Sequence, residues 1–247
     1  MILLTSQSFP HYGLERFFKF AKETGYDGVE IMINQNFDTQ SPEYLKELEA
    51  RYQMPIKAFS LTNKNPERYL EAFQKTTREF EGATLNLESA EVFSFGYKTW
   101  LQNTLPRFAR KYKLKLNRAN SKSKALFGII PSKTDNSLFA LKKTGKVALD
   151  FSALWASQEE PMRAIAFLKE SLGHVYLSNV FKNQLYSPLN KGVLPLESIL
   201  TKLKKLEYDG NFTVKVSPQF MHEDDTSLMK HVMEENRQMY EKYFVNA

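Results

Sequence analysis

Three charged side chains lie within strand-like segments of the sequence, where a charge is stable only if it is paired or hydrogen-bonded. They are Glu30 in Gly-Val-Glu-Ile, Asp150 in Val-Ala-Leu-Asp and Lys215 in Thr-Val-Lys-Val. A carboxylate in such a place can act as a general base, and a desolvated lysine can act as a base or a Schiff-base nucleophile. These three residues are therefore the first candidates for catalytic groups.

Glu30 and Lys215 occur in two copies of one local pattern, almost at opposite ends of the chain. Residues 25–31 and residues 207–216 each follow an amphipathic helix, form a Tyr-Asp-Gly turn and enter a β-branched strand. This repetition predicts a closed, cyclic arrangement of βα units. The charge in the strand is negative in the first copy and positive in the second, and this inversion is the best sequence clue to function.

Strand and helix patterns alternate along the whole chain, which is typical of a parallel sheet. The predicted strands are Ile2–Thr5, Gly28–Ile33, Ile56–Ser60, Ala83–Leu87, Lys113–Asn117, Lys146–Asp150, His174–Asn179 and Phe212–Ser217. Eight strands in about 250 residues predict a (β/α)₈ TIM barrel formed by residues 1–247 as a single domain. A doubly wound open sheet is the alternative, but the chain has no G-x-G-x-x-G or P-loop motif to support it.

Alternation along the strands places Glu30, Asp150 and Lys215 on the inward side, near the C-terminal strand ends where active sites of this fold are built. Three roles remain open for Lys215. Its ammonium can neutralise Asp150, with or without Glu30. It can bind a phosphate or carboxylate of a ligand together with Arg118. It can also act as a desolvated amine, in the role of base or nucleophile.

Other candidates are expected on the same face of the barrel. Asn179 ends the seventh predicted strand, and His11 lies in the loop after the first strand. Tyr186 belongs to a set of loop aromatics that could contact the apolar face of a sugar. His222 follows the last strand in an acidic loop that is better suited to capping a helix. His174 begins a strand, and a structural role is predicted for it.

Composition excludes several kinds of chemistry. The 247 residues include no cysteine, which rules out disulfides, thiolate zinc sites and a cysteine nucleophile. The four histidines lack the three- or four-residue spacing of a helical metal pair. No apolar run approaches the ~20 residues that a membrane span needs, and the first residues do not resemble a signal peptide. A cytoplasmic protein with no membrane partner is therefore predicted.

The positive charge of the chain is concentrated in one stretch. Residues 92–134 contain ten basic residues and no acidic one, in a chain whose net charge is +6. Such a field attracts phosphate or nucleic acid. An exposed basic helix face is the simpler interpretation.

The chain resembles the xylose isomerase-like barrels, which include sugar-phosphate isomerases and epimerases, inosose dehydratases and isomerases, and endonuclease IV. The order and spacing of four segments carry this resemblance over nearly the whole chain: 14–31, 149–152, 174–179 and 192–216. It is fairly specific for the fold and says little about the substrate.

The resemblance also implies a metal site, because members that do chemistry usually hold a divalent ion with carboxylates and histidines at strand ends. Among the corresponding positions of this chain, only Asp150 clearly matches. The other positions fall on Asn117 or Arg118, Ala153, Asn179, Tyr186 and Lys215. We therefore predict that the usual metal site is lost and that no cofactor is bound.

The sequence as a whole predicts a diverged, sugar-phosphate isomerase/epimerase-like protein with a degenerate metal site. It is expected to bind a small polar or anionic ligand, a sugar or a sugar phosphate, at the C-terminal face of the barrel. Any catalysis would be metal-independent proton transfer. The expected catalytic residues are Glu30, Asp150 and Lys215, and the expected ligand-binding residues are Arg118, Asn179, Tyr186 and His11.

Two alternatives of other classes remain. One is a nucleic-acid-binding protein that resembles endonuclease IV and uses the basic stretch of residues 92–134. Enzymes of that type depend on a metal cluster, and the missing metal ligands argue against this alternative. The other is a non-catalytic scaffold or sensor. The sequence predicts no oligomeric state.

Overall fold

Eight parallel strands close into a barrel in the computed structural model, which describes residues 1–91, 94–122, 125–126, 130–131 and 137–246. The strands are β1 (Ile2–Thr5), β2 (Gly28–Ile33), β3 (Ile56–Leu61), β4 (Thr84–Glu88), β5 (Lys115–Ala119), β6 (Ala125–Leu126), β7 (Ile130–Pro131), β8 (Lys146–Asp150), β9 (Leu172–Leu177), β10 (Asn179–Phe181), β11 (Gln184–Ser187) and β12 (Asn211–Val214). The order around the barrel is β1-β12-β9-β8-β5-β4-β3-β2, and β1 pairs with both β12 and β2. The predicted (β/α)₈ barrel is confirmed, and the doubly wound open sheet is wrong.

Helices surround the barrel, and two antiparallel hairpins, β6–β7 and β10–β11, stand apart from it. The helices are α1 (Leu14–Glu23), α2 (Pro42–Tyr52), α3 (Leu70–Thr77), α4 (Phe95–Thr99), α5 (Leu105–Lys111), α6 (Leu138–Lys143), α7 (Phe151–Ala156), α8 (Pro161–Leu168), α9 (Leu196–Lys205) and α10 (Thr226–Tyr240). Both α2 and α8 begin with a proline, and the side chains of Ser41 and Glu160 cap them. No helix of the described residues is long and apolar enough to cross a bilayer.

The predicted strand boundaries hold for β1, β2 and β8 and shift by one to three residues elsewhere. The shift of β5 has a clear cause. Lys113 has a left-handed φ of 53°, and the N–H of Leu114 donates to the carbonyl of Ala109. These contacts close the C-terminal end of α5, so that the strand cannot begin until Lys115.

The apolar core lies between the barrel and the helices. Outward strand residues such as Ile31 and Leu149 belong to one large cluster with helix residues such as Phe17 and Leu200. Inside the barrel, the apolar cluster is limited to Ala119, Ala148 and Tyr176. Many inward positions are instead polar and buried, among them Glu30, Asn86, Asn117, His174 and Thr213. The barrel interior is therefore a hydrogen-bonded layer rather than the stacked branched apolar residues common in this fold.

Candidate functional site

An ion pair lies at the C-terminal end of the barrel. Lys215 directly follows β12, and its Nζ is 3.3 Å from Oδ2 of Asp150, the last residue of β8. Lys215 is 9% exposed and Asp150 is 2% exposed. The ring centroids of Tyr186 and Tyr176 lie 4.6 Å and 5.2 Å from the same Nζ, within reach of cation–π attraction. One carboxylate and two aromatic rings therefore enclose the ammonium.

The Lys215 ammonium stays charged in this environment. Burial by itself lowers the pKa of Lys215, but Tyr186 and the carboxylates of Asp150 and Glu88 outweigh it and raise this pKa above the ordinary lysine value. A lysine base or Schiff-base nucleophile needs a neutral amine and hence a depressed pKa. The surroundings of Lys215 favour the ion pair over the nucleophile.

The Asp150 carboxylate is held in place by the backbone around it. Its Oδ1 accepts a hydrogen bond of 3.0 Å from the N–H of Ala153 and thereby caps α7. The side chain of Asn120 accepts from the Asp150 N–H at 2.6 Å and donates to the Asp150 carbonyl at 2.9 Å. These hydrogen bonds hold the Asp150 carboxylate in the orientation that contacts Lys215.

Glu88 is a charged residue of the site that the sequence analysis missed. The pocket at the C-terminal strand ends, called here the barrel mouth, is lined among others by Asn63, Glu88, Asn120, Asp150, Tyr176 and Lys215. The fourth strand was expected to end at Leu87, but β4 continues to Glu88. Because residues alternate along a strand, Glu88 shares the inward side with Asn86. That alternation was the signal that could have identified it.

Glu30 lies deeper, inside the barrel, and is 1% exposed. Its Oε1 accepts a hydrogen bond of 2.9 Å from the Tyr176 hydroxyl, and its Oε2 accepts bonds of 3.2 Å from both Asn86 and Thr213. Nε2 of His174 lies 2.8 Å from the Thr213 hydroxyl and 3.6 Å from Oε2 of Glu30. Tyr176 connects the two sites, because its hydroxyl contacts Glu30 and its ring contacts Lys215.

Burial controls the charge of this interior cluster. It raises the pKa of Glu30, and the hydrogen bonds from Tyr176 and Asn86 offset this only in part. It lowers the pKa of His174 to about 3, so the imidazole is neutral at physiological pH. The structure places His174 fully inside the barrel, where it bonds to a neighbouring strand.

The β10–β11 hairpin covers one side of the barrel mouth. Its turn residues Lys182 and Asn183 have left-handed φ values of 48° and 62°, as the favoured two-residue hairpin turn requires. Tyr186 also has a positive φ, 65°, which is uncommon for a bulky residue. Its carbonyl accepts a hydrogen bond of 2.7 Å from the N–H of Ser217. These contacts hold the Tyr186 ring against Lys215.

Two cavities of very different size lie beside this hairpin. The barrel mouth has a volume of about 30 Å³, room for about one water molecule. A second cavity of about 610 Å³, called here the outer groove, is lined among others by Trp155, Pro161, Asn183 and Leu185. Leu185 faces the outer groove while the next residue, Tyr186, faces Lys215. The strand β11 therefore forms a wall between the two cavities.

Arg118 does not lie in the barrel mouth. Asn117 is on the inward side of β5 and donates to Asn86, so Arg118 points outward, toward the helices. There its Nη2 donates to the carbonyl of Leu101 at 2.8 Å. Arg118 therefore does not join Lys215 in an anion-binding pair in this structure.

The remaining predicted ligand-binding residues, Asn179 and His11, also lie outside the mouth. Asn179 is buried, and its side chain bonds three backbone groups of its own loop region. The His11 side chain is 76% exposed, and its Nδ1 lies 2.5 Å from Oε2 of Glu223 in the loop after β12. The structure shows contacts of these two residues with neighbouring loops and places neither beside Lys215.

The basic stretch of residues 92–134 is described only in part. Lys113 and Lys115 lie at the start of β5, at the end of the barrel opposite the mouth. Lys122 lines the outer groove. Lys124 and Lys133, together with Val92, lie outside the described residues. The described basic residues of this stretch are thus spread over both ends of the barrel.

The donors of the barrel mouth do not fit a divalent metal. In the part of the chain that the structure describes, no group of three or more His, Cys, Asp or Glu side chains could hold one. Zinc sites use three or four protein ligands and Ca²⁺ takes six to eight oxygens, whereas Asp150 is already paired with an ammonium. At ~4 Å and an effective dielectric near 20, each pair of like unit charges repels by about 4 kcal/mol. Lys215 would therefore oppose an ion beside Asp150.

No family model matches the chain, and no curated protein matches it in sequence. Solved structures match it over nearly its full length. A 3-keto-D-glucoside 4-epimerase from E. coli has 16% identity and a TM-score of 0.72, covering 96% of this chain and 98% of its own. A D-allulose 3-epimerase from Methylomonas sp., solved with D-allulose, has 12% identity and a TM-score of 0.73, covering 98% and 96%.

A xylose isomerase domain protein from Alicyclobacillus acidocaldarius gives a similar result, with 14% identity, a TM-score of 0.71 and coverage of 97% and 98%. The fold is therefore that of the sugar epimerases and xylose isomerase-like barrels, as the sequence predicts. At these identities the likeness establishes the fold and leaves activity to be argued from the site.

Proposed function

We propose that the protein binds a small sugar-type molecule at the barrel mouth, where the Lys215 ammonium takes the place of the divalent metal. The observation that carries this proposal is the 3.3 Å contact between Lys215 and Asp150 at the C-terminal end of an epimerase-type barrel. A metal in such a site polarises a carbonyl oxygen. A fixed ammonium can do part of the same work, because it donates hydrogen bonds and stabilises negative charge on that oxygen.

Each group of the mouth has a role that follows from its contacts. Lys215 donates hydrogen bonds to ligand oxygens, and Asp150 accepts them from ligand hydroxyls. The ring of Tyr176 offers a surface for the apolar face of a sugar. Any proton transfer runs between Asp150 as base and Lys215 as acid. Glu30 takes no part, because it is 1% exposed and bonded to neutral groups inside the barrel.

The charges of the mouth favour an uncharged sugar over a sugar phosphate. Among the described residues that line the mouth, Lys215 is the only basic one, and it faces the two acids Asp150 and Glu88. Arg118 is turned toward the helices and adds no charge there. A phosphate group carries about −1.5 to −2 charges and needs cations that are not already neutralised. We therefore narrow the ligand class to uncharged sugars.

Saturation-transfer NMR with D-fructose and D-allulose tests this proposal. We expect transfer from the wild type to at least one sugar and its loss in Lys215→Met, which keeps an unbranched side chain, one atom shorter, and removes the charge. The matched control is Lys115→Met, the same change at an exposed residue at the opposite end of the barrel, which should keep the transfer. Circular dichroism verifies that each variant is folded.

Two results would contradict the proposal. The first is no transfer from the wild type to either sugar. The second is equal transfer from the wild type and from folded Lys215→Met, since binding would then occur away from the ion pair. Asp150→Asn, which retains a helix-capping side chain, provides an independent variant. It should weaken transfer because the amide no longer pairs with the ammonium.

A further inference from the structure

We infer that the ligand-binding cleft extends beyond the barrel mouth into the outer groove, with Tyr186 separating the two and Trp155 contacting the far part of the ligand. The inference rests on the proposed function and names the ligand class more closely. The favoured ligand is a sugar that carries a second ring, as in an aryl glycoside, which binds more tightly than a free monosaccharide.

The sizes of the two cavities motivate this inference. Small-molecule sites usually measure about 300–1,000 Å³. The barrel mouth, at about 30 Å³, holds the ion pair but has no room for a sugar ring. The outer groove, at about 610 Å³, has the room but not the ion pair. The strand β11 lies between them, with Leu185 on the groove side and Tyr186 against Lys215, so joining the two cavities gives a ligand-sized site that includes the ion pair.

Tyr186 is the residue of this wall that can open it. Its ring contacts the Lys215 ammonium, with a centroid distance of 4.6 Å, and fills the space next to the ion pair. Rotation of this side chain would leave the backbone bond to Ser217 intact. Hydroxyl groups of a ligand can replace the aromatic ring at the ammonium. Tyr186 therefore closes this side of the mouth, and its rotation would admit a ligand to Lys215.

Trp155 is placed to hold the second ring of such a ligand. It lies in the last turn of α7, the helix that Asp150 caps, and it is 42% exposed in a chain whose large apolar side chains are mostly buried. Five residues of helix separate it from Asp150, a rise of about 7.5 Å. A ligand with two rings can span this distance, with one ring at the ion pair and the other against the indole.

Tryptophan fluorescence tests the reach of the cleft. The chain has two tryptophans, and Trp100 is buried whereas Trp155 faces the outer groove. We expect phenyl β-D-glucoside to change the emission and to bind at least tenfold more tightly than D-glucose. In Trp155→Phe the emission change should disappear and the preference should fall severalfold. The emission of Trp100 serves as the internal reference.

Lysine acetylation followed by mass spectrometry tests the closure by Tyr186 without any ligand. In Tyr186→Gly, whose glycine accepts the positive φ, Lys215 should be acetylated at least tenfold faster than in the wild type. Tyr186→Phe keeps the ring and should protect Lys215 as the wild type does. The exposed Lys146 gives the reference rate in every protein. An unchanged rate for Lys215 in Tyr186→Gly would overturn the closure.

The outcomes separate this inference from the proposed function. Equal affinity for the two glucose probes, or an emission change that persists in Trp155→Phe, overturns the extended cleft. Lys215-dependent binding of D-fructose or D-allulose would in that case leave the proposed function intact. If no sugar binds to the wild type or to Tyr186→Gly, both fail together.

Discussion

Two carboxylates point into the same barrel, and they differ in depth and in partners. Glu30 lies beneath the mouth and receives hydrogen bonds from neutral groups, whereas Asp150 lies at the rim and faces the Lys215 ammonium. Tyr176 touches both sites. An inward position near a strand end is therefore not enough to give an acid a functional role. Access from the pocket and the charge of the partner decide between a structural acid and a candidate reacting group.

The largest effect is expected from Lys215→Met, which breaks the pair at the mouth and leaves the interior cluster intact. Asp150 would then be buried beside no cation, and the loss of one partner of a buried pair typically costs ~3–5 kcal/mol of unfolding free energy. Urea denaturation measures the change. The control Lys115→Met removes an exposed charge and should stay within about 0.5 kcal/mol of the wild type.

The double variant tests whether the loss of stability comes from the unpaired Asp150 charge. Lys215→Met combined with Asp150→Asn removes both charges and retains the helix cap, so it should recover part of the loss. Additive destabilisation by the two substitutions, or an unchanged stability of Lys215→Met, would show that the ion pair does not hold the mouth together.

The interior cluster is expected to respond to acid through His174. Its pKa is lowered to about 3 in the folded protein and is about 6.5 when unfolded. Its contribution to stability is therefore complete above pH ~6.5 and is lost as the pH falls toward 3, by up to about 1.4 kcal/mol per pH unit. Urea midpoints between pH 3 and 7 should fall less steeply for His174→Gln than for the wild type.

His231→Gln is the matched control, because His231 is exposed on α10. The urea midpoint of His231→Gln should fall with decreasing pH as steeply as that of the wild type. If the midpoint of His174→Gln also falls as steeply as that of the wild type, His174 is not held neutral inside the barrel.

Glu30 is expected to change the stability in the opposite direction as the pH rises. Its folded pKa is raised by burial, so its contribution is complete below the unfolded pKa, about 4.3, and is lost as the pH rises through the folded value. The stability of the wild type relative to Glu30→Gln should therefore decline with rising pH. The stability of the wild type relative to Glu71→Gln, a change on the surface of α3, should show no such trend. If the stability of the wild type relative to Glu30→Gln rises with pH, burial does not raise the pKa of Glu30.

The smallest effect is expected at Glu88, and it concerns selectivity. Glu88→Gln removes one of the two acids around Lys215, so the affinity for D-fructose 6-phosphate relative to D-fructose should rise severalfold. Glu91→Gln makes the same change at an exposed residue and should leave the ratio unchanged. A wild type that prefers the phosphate, with a preference weakened by salt, would argue against an uncharged ligand.

The fold could be predicted because local patterns and global architecture agree. Helical periodicity, the repeated Tyr-Asp-Gly turns and eight strand segments favoured the barrel over the open sheet, and β1, β2 and β8 matched to the residue. The start of β5 was wrong because the left-handed turn at Lys113 depends on backbone bonds to α5 that no side-chain pattern reveals.

The candidate site was harder to predict from the sequence than the fold. Alternation along the strands identified Glu30, Asp150 and Lys215 as inward, but it could not give their depth in the barrel. Depth depends on register between strands, and the pairing of Asp150 with Tyr176 and of Thr213 with Tyr176 fixes it here. The closure by Tyr186 depends on a tertiary contact across a hairpin, which a single sequence does not encode in any local pattern.

The central claim is that Lys215 takes the place of a metal, and metal binding by the purified protein tests it most directly. Elemental analysis of the unchelated protein should find no stoichiometric metal, and titration with Mn²⁺, Zn²⁺ and Mg²⁺ should leave the melting temperature unchanged. A ligand that binds the folded state at 100 times its Kd stabilises by ~2.7 kcal/mol, which a melt detects readily. Stoichiometric metal with dose-dependent stabilisation would contradict the account.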